Sequence, residues 1–270
     1  DYRAYVGGTT GLIYGFVNDG FYTVDDFKPF DSKSRTWTLK DGVVNSSPLS
    51  GDPRPGNAKF KKLTPVDENS ANPYTLTDDD RTVIGNTTPK FSGGFGLNAT
   101  FKGFDVSAFF NFMYDFDVFN ANKVMMTTWA SNNYNNFSMD ISAAKRWRNF
   151  DDMGNEIRYS PEILAEFNKN ATMWNPTSIG RPIAMSYAVE DGSFLRLNTA
   201  TIGYTLPRAW TNKVGLSRVR FYASGYNLFT ITGYSGYDPE VDIATGLTPN
   251  IDNNRYPRSR TYTFGVQLTF

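Results

Sequence analysis

The sequence predicts an all-β protein, a transmembrane antiparallel β-barrel with long extracellular loops. Three observations predict it. Apolar and polar residues alternate with period two over several segments, the pattern of strands with two unlike faces. The apolar faces are dense in Phe and Tyr, while the opposite faces carry Gly, Ser, Thr, Asn and Arg, which suits lipid on one side and water on the other. The connections are strongly unequal, some short and some long and polar. A soluble β-sandwich shares the period, but stacked Phe faces make a poor surface for water.

The elements follow in chain order. Asp1-Tyr2-Arg3-Ala4-Tyr5-Val6 is already patterned as a strand with no signal peptide before it, so the chain is expected to be a mature segment or a fragment of something longer. Asp25 to Ile84 is a long stretch rich in Asp, Asn, Pro, Lys and Ser. Phe91, Phe95, Leu97, Ala99 and Phe101 then share a face, opposite Ser92, Gly94, Asn98 and Thr100. Lys102-Gly103 reads as a two-residue turn, with Gly supplying φ > 0. The return strand puts Phe104, Val106, Ala108, Phe110, Phe112 and Tyr114 on one face and Asp105, Ser107, Phe109, Asn111 and Met113 on the other. Phe101 and Phe104 flank the turn, so both strands place their apolar sets on the same side.

Trp129 to Ala188 is a second long connection of aromatics, Asn and charges. Within it, Asp140 predicts the cap of a short helix from Ile141 to Trp147, and Pro161 the first turn of another ending at Phe167. Ala200, Ile202, Tyr204 and Leu206 alternate with Thr201, Gly203 and Thr205 until Pro207. Leu195 and Leu197 lie on the opposite parity from Ile202; a bulge near Asn198-Thr199 explains this, as does a change from exposed loop to embedded strand. After a linker from Arg208 to Leu216, Val219, Phe221 and Ala223 oppose Arg218, Arg220, Tyr222 and Ser224. The last strand sets Tyr262, Phe264, Val266, Leu268 and Phe270 against Thr261, Thr263, Gly265, Gln267 and Thr269. Strands of roughly 10 to 12 residues, at ~3.3 Å rise and ~45° tilt, span about 25 Å, the height of an outer-membrane hydrocarbon band. About seven to nine segments qualify as candidate strands.

Composition removes whole classes of chemistry. Cys and His are both 0, so there is no disulfide framework, no thiolate nucleophile, no Cys/His zinc site and no histidine-based triad. General acid–base catalysis would need a strongly shifted Glu, Asp, Lys or Tyr, and the chain is not read as an enzyme. Lys+Arg and Asp+Glu are each 27, for a formal charge of +0, which gives no electrostatic footprint for nucleic acid. No run approaches the about 18 apolar residues of a transmembrane helix.

The final Gly265-x-x-Leu268-x-Phe270 is similar to the C-terminal recognition signal of bacterial outer-membrane barrels. Glu190-Asp191-Gly192-Ser193-Phe194-Leu195-Arg196-Leu197, followed by Gly203-Tyr204-Thr205-Leu206-Pro207, resembles the C-terminal region of SusC-like (RagA-like) TonB-dependent transporters of Bacteroidetes. Further pieces agree in order. They are Gly11 to Phe16, Asp19-Gly20-Phe21, Gly85-Asn86, Pro89-Lys90-Phe91, Gly225 to Thr230, Gly236-Tyr237-Asp238-Pro239-Glu240 and Arg260 to Gly265. The resemblance implies that residues 1–270 are the C-terminal part of a barrel of roughly 22 strands, with the plug and N-terminal domains outside this chain. It further implies residence in the bacterial outer membrane and TonB-dependent import of an oligosaccharide or oligopeptide with a SusD-like surface lipoprotein. TonB would be contacted through the N-terminal part. A small self-contained outer-membrane barrel with a structural or adhesion role is the alternative, and a soluble carbohydrate-binding sandwich a third reading.

Candidate site residues are sparse. Trp129, Tyr134, Trp147 and Trp174 sit in long loops, where aromatics stack on sugars, meet a partner or form small loop cores. Phe137 and Tyr187 read the same way. Arg218, Arg220 and Tyr222 share a face that would line a lumen; ion pairs within the protein or with a plug are the plainer role for the arginines, and for Arg196 and Arg208. Asp67, Asn69, Asp79 and Asp80 offer oxygen ligands for Ca2+ in the 67–80 loop, against a solvated acidic loop as the default. Related transporters often carry an Asp-x-Asn-x-Asp-Gly stretch before an Asp-Arg pair, and Asp67 to Asn72 lacks its third Asp and its Gly. No other cofactor is expected. Asp25, Asp26, Asp151 and Asp152 contain no positioned acid pair for glycoside hydrolysis. Gly94-x-Gly96-x-x-Ala99 mimics a dinucleotide fingerprint but lies inside an alternating strand, where glycines beside a plug or a neighbouring aromatic are expected.

Overall fold

Long strands form where the alternation is strongest. The computed structural model describes residues 2–128, 137–180, 182–241 and 246–270. Five strands, β1 (Phe91–Phe101), β2 (Phe104–Tyr114), β3 (Phe194–Thr205), β4 (Arg218–Thr232) and β5 (Thr261–Thr269), make one antiparallel sheet in sequence order, an up-and-down meander. Each neighbour is the next long strand in the chain, so no crossover is needed. The remaining strands among the described residues are short, so five rather than seven to nine are long enough to span a bilayer.

The register sorts the residues by face. Ala99, Val106, Ile202, Ala223 and Phe264 stand in one row across all five strands, and Phe101, Phe104, Tyr204, Phe221 and Val266 in the next apolar row. Between them runs a polar row: Thr100, Asp105, Gly203, Tyr222 and Gly265. The apolar rows are open, with Phe101 70% and Phe264 79% exposed. In water this would be a large sticky surface; facing acyl chains it is the stable arrangement. Phe95 and Phe110 stack at 5.0 Å and 13° across β1 and β2. Both turn residues, Lys102 (φ 47°) and Gly103 (φ 88°), have positive φ, the pattern whose twist matches a tight hairpin.

The parity conflict in β3 resolves as a bulge. Leu197 pairs with Phe110 and Thr199 with Phe109, so Asn198 is an extra residue. Leu195 and Leu197 thereby rejoin the apolar face, opposite Phe112 and Phe110. β4 answers with its own irregularity, since Leu197 pairs with Phe229 but Thr199 with Tyr226, and Asn227 turns to φ 52°. The polar linker after Pro207 becomes a short helix (Arg208–Thr211) and a 3-10 turn (Asn212–Val214) closed by Gly215 at φ 72°.

Two compact units divide the chain: residues 1–85 with 119–189, and 86–118 with 190–270. The second contains the sheet and a small core of Phe116, Val118, Phe194, Tyr234 and Val241. The first is built from the two long connections. Its main core gathers Phe16, Phe60, Leu76, Val124, Met173, Trp174 and Met185. A satellite core holds Trp147, Ile157 and Leu164, the last from the helix Pro161–Phe167 that the sequence predicts. Burying each such large apolar side chain stabilises by roughly 1.5–3 kcal/mol, so these connections carry their own folding drive.

Two expectations fail locally. The strand at the start is confined to Tyr2–Arg3, paired with Ile13 and Leu12. The helix expected over Ile141–Trp147 is replaced by a 3-10 turn, Met139–Ile141, capped by Ser138, whose hydroxyl accepts the Asp140 N–H. Ser142 turns extended at ψ 158°, and the Trp147 N–H then donates to the Met173 carbonyl. Pairing with residues 172–173 takes the backbone groups a helix would have used.

Candidate functional site: the polar face and its cap

The polar face is cross-braced. Arg220 on β4 reaches across β3 to Asp105 on β2, its Nε donating at 2.9 Å to Oδ1 and its Nη2 to Oδ2. The route exists because the intervening residue is Gly203: a Cβ there would lie 2.4 Å from Arg220 Nη2. Tyr222 leans the other way, over Gly265 of β5, where a Cβ would lie 2.4 Å from its ring. Thr201 and Ser224 share a hydroxyl hydrogen bond of 2.8 Å in the neighbouring polar row. Phe109 lies over Gly94, which explains why glycine stands in that strand. The bidentate fork of Arg220 fixes a planar, charged surface between three strands.

Beyond the bulge, the acidic and aromatic pieces around 190–196 and 234–258 meet one another. Arg196 is 2% exposed and donates to Asp238 Oδ1, with Glu240 Oε2 3.3 Å from its Nε. Arg258 holds the other Glu240 oxygen at 3.0 Å, and the Glu240 N–H donates to Asp238 at 2.9 Å. Two arginines therefore balance two carboxylates, with Arg196 buried and Arg258 open to water at the rim, and such pairing is the condition under which buried charge is tolerated. Glu190 accepts both the N–H and the hydroxyl of Ser235 at 2.9 Å. Tyr234 Oη donates to Asp252 at 2.7 Å; burial, and then that carboxylate, push the phenol far above its usual range. Gly192 lets Phe116 and Val118 pack, since a Cβ would lie 2.6 Å from Phe116 and 2.7 Å from Val118. Side chains thus tie the strand-leading segment 190–196 to the connection 234–258.

Residues predicted from sequence fall into four groups. Arg218, Arg220 and Tyr222 do share the polar face, with Arg218 also near Thr205 Oγ1 at 3.5 Å. Trp147 and Trp174 are corrected as contact surfaces: at 3% and 2% exposure they are the centres of the two cores of the first unit. Gly56, at φ 88°, presses on Trp147 so closely that a Cβ would lie 2.1 Å from the indole. A long loop without regular structure needs such anchors, and the largest apolar side chains supply them. Trp129 and Tyr134 lie outside the described residues. Phe137 is exposed and Tyr187 packs on Trp174 at 4.7 Å.

The acidic candidates are mostly engaged in holding turns. Asp80 is buried and accepts from Thr64, Leu63 and Thr77, with Lys62 at 3.3 Å. Burial alone would raise its pKa, but those hydrogen bonds outweigh it and hold the carboxyl well below the usual carboxylate range. Asp67 accepts the Asn69 N–H at 3.0 Å, and Asp78 pairs with Arg81. Asp26 caps the Thr23 turn and meets Lys59, while Asp152 meets Arg148. The side chain of Asn155, then its N–H, lower Asp151. Among the described residues no group of three or more Asp, Glu, His or Cys could hold a metal ion. Gly265 lies under Tyr222, Leu268 pairs with Val219 on the apolar face, and Phe270 follows the strand, exposed.

Sequence reasoning missed three partners: Asp105 for Arg220, and Asp238 and Glu240 for Arg196. Their parity and motif membership were legible. Their partnership was not, because it depends on which strands become neighbours.

Known proteins place this geometry. No family model matches the chain. The TonB-dependent receptor P3 of Formosa agariphila is 30% identical over 270 residues, covering 98% of this chain and 22% of that protein. The TonB-dependent receptor SusC of Bacteroides thetaiotaomicron is 32% identical over 164 residues, 56% of this chain and 15% of SusC. The chain thus spans about a quarter or less of the curated relatives it matches. Among solved structures, the RagAB peptide importer in its open-open state aligns with a TM-score of 0.59 at 22% identity, over 100% of this chain and 25% of the matched chain. Its closed-closed state gives 0.58 at 23%, over 95% and 23%. The five-stranded sheet is therefore a stretch of TonB-dependent receptor barrel wall in the bacterial outer membrane. Within that class the chain is similar to SusC over part of its length, and the relatives it matches are named as receptors and an importer rather than enzymes.

Proposed function

We propose that this chain forms the C-terminal part of the barrel of a TonB-dependent importer that carries oligosaccharides or oligopeptides across the outer membrane. The observation that carries this reading is the two-faced sheet. One face is aromatic and open, fit for lipid, and the other is braced by Arg220, Asp105 and Tyr222, fit for a water-filled or plugged lumen. Arg218, Arg220 and Tyr222 would then line the lumen. A SusD-like lipoprotein would cap the long-loop side and TonB would act through the N-terminal part, in keeping with the likeness to SusC and to the RagAB peptide importer. Gly265, Leu268 and Phe270 would serve as the assembly signal. Ca2+ binding in the 67–80 loop would need Asp67, Asn69 or Asp79, because Asp80 already accepts several hydrogen bonds.

Deleting the gene, and separately the gene for TonB, tests the reading through growth on glycans and on peptides as sole nutrients. Loss of growth on one class in both strains is expected. Unchanged growth on every glycan and peptide would overturn it.

A further inference from the structure

The first unit holds a polar cavity of about 530 Å3 beside its satellite core. Three arginines line it, Arg35, Arg54 and Arg158, against one carboxylate, Asp52. Arg158 is paired with Glu156. Among the described residues neither Arg35 nor Arg54 has a carboxylate partner, so the cavity keeps positive charge that the fold does not neutralise.

The wall beside these cations is aromatic. Trp37 and Tyr159 line the cavity, joined through Phe30, whose ring lies 4.8 Å from Trp37 and 6.1 Å from Tyr159. Arg35 sits with its guanidinium 5.3 Å from the Tyr159 ring centre. It is presented on a bonded turn: Asp31 accepts the Lys33 and Ser34 N–H groups, and the backbone pairs Asp31 with Thr36. Arg35 itself is at φ 56°, a conformation that residues other than glycine rarely hold. The remaining lining includes hydroxyls and amides, such as Thr177, Asn57 and Asn149.

We infer that this cavity binds an acidic sugar unit, one carrying a carboxylate or a sulfate. The unneutralised guanidinium groups of Arg35 and Arg54 recognise the anionic group, in the planar two-point manner that arginine favours for oxyanions. The rings give apolar area to the sugar's C–H face, and the amides and hydroxyls meet its other substituents. An acidic peptide would also satisfy the arginines, but its mobile side chains offer less flat C–H surface to Trp37 and Tyr159 than a sugar ring does. The inference deepens the import reading and rests on it for the source of the sugar, since it assigns the importer an anionic oligosaccharide.

Isothermal titration of the purified full-length receptor tests it. The probes are a short oligouronate, a sulfated oligosaccharide, a neutral oligosaccharide of equal length and an acidic hexapeptide. An acidic sugar is expected to bind best and to weaken as salt rises. Arg54→Gln and Arg35→Gln should each weaken it about tenfold and leave the neutral probe unchanged. Both side chains are exposed, and unchanged thermal unfolding of the variants would show that the fold survives. Equal binding of neutral and acidic sugars, tighter binding of the peptide, or wild-type binding by the Arg35/Arg54 double variant would each overturn the assignment. Titration needs no TonB, so failure of import and failure of this site are read separately.

Discussion

Removing Arg196 should open the region around the buried acidic pair while leaving the sheet intact. Arg196 and Arg258 offset Asp238 and Glu240, and the Arg196 side chain is only 3% exposed. Arg196→Gln keeps a polar amide but deletes the charge, so one carboxylate is left in excess away from water. Deleting one partner of a buried pair costs about 3–5 kcal/mol. At about 1.4 kcal/mol per decade, that is roughly two to four decades in the local opening equilibrium. Hydrogen exchange of the full receptor reads it at two amides: Glu240, which donates to Asp238, and Ser235, which donates to Glu190. Arg196→Lys keeps the charge without the fork and should recover roughly half of the protection. Amides of β1 and β2 serve as internal controls and should not change. If Arg196→Gln leaves Glu240 and Ser235 as protected as before, the pair does not hold the segments together and the reasoning fails.

The other predictions concern packing, cross-bracing and acid. Gly56→Ala combines a left-handed backbone with a Cβ 2.1 Å from Trp147, and should cost about 2–5 kcal/mol, read as rapid proteolysis within residues 146–171; resistance equal to wild type would refute the close packing. Gly203→Ala should displace Arg220 from Asp105 at a cost of roughly 1 kcal/mol, and in a double-mutant cycle with Arg220→Met the two losses should not add. Additive losses would mean that the glycine is not there for the arginine. Asp80 is held below the ordinary carboxylate range, so its contribution is fully present above about pH 3.9, the unfolded value, and is lost as pH falls through the folded value. The segment from Lys62 to Arg81 should therefore keep its protease resistance on mild acidification and lose it in stronger acid. Asp80→Asn should remove that acid step, and a transition unchanged in the variant would assign it to another group.

Side-chain alternation determined the barrel strands, because lipid and water impose opposite demands on the two faces of one strand and the strand period of two is visible residue by residue. Gly103 and the Phe101/Phe104 pair located the hairpin, and Pro161 opened its helix where expected, since caps and turns act through neighbours in sequence. The parity of Leu195 and Leu197 announced an irregularity, yet only pairing with β2 and β4 showed it to be a bulge at Asn198 rather than an embedded-to-exposed change. Trp147 and Trp174 could be contact surface or loop core from sequence, and only the packing made them core, because burial in an irregular connection has no period to read. Asp140 looked like a helix cap and lost to Ser138 once Trp147 paired with Met173. The sequence by itself determined which residues could face lipid. Only the tertiary structure decided that Arg220 crosses Gly203 to Asp105, that Arg196 meets Asp238 and Glu240, and that Arg35 and Arg54 share a cavity, because each joins residues far apart in the chain whose proximity is set by strand order and packing rather than by local spacing.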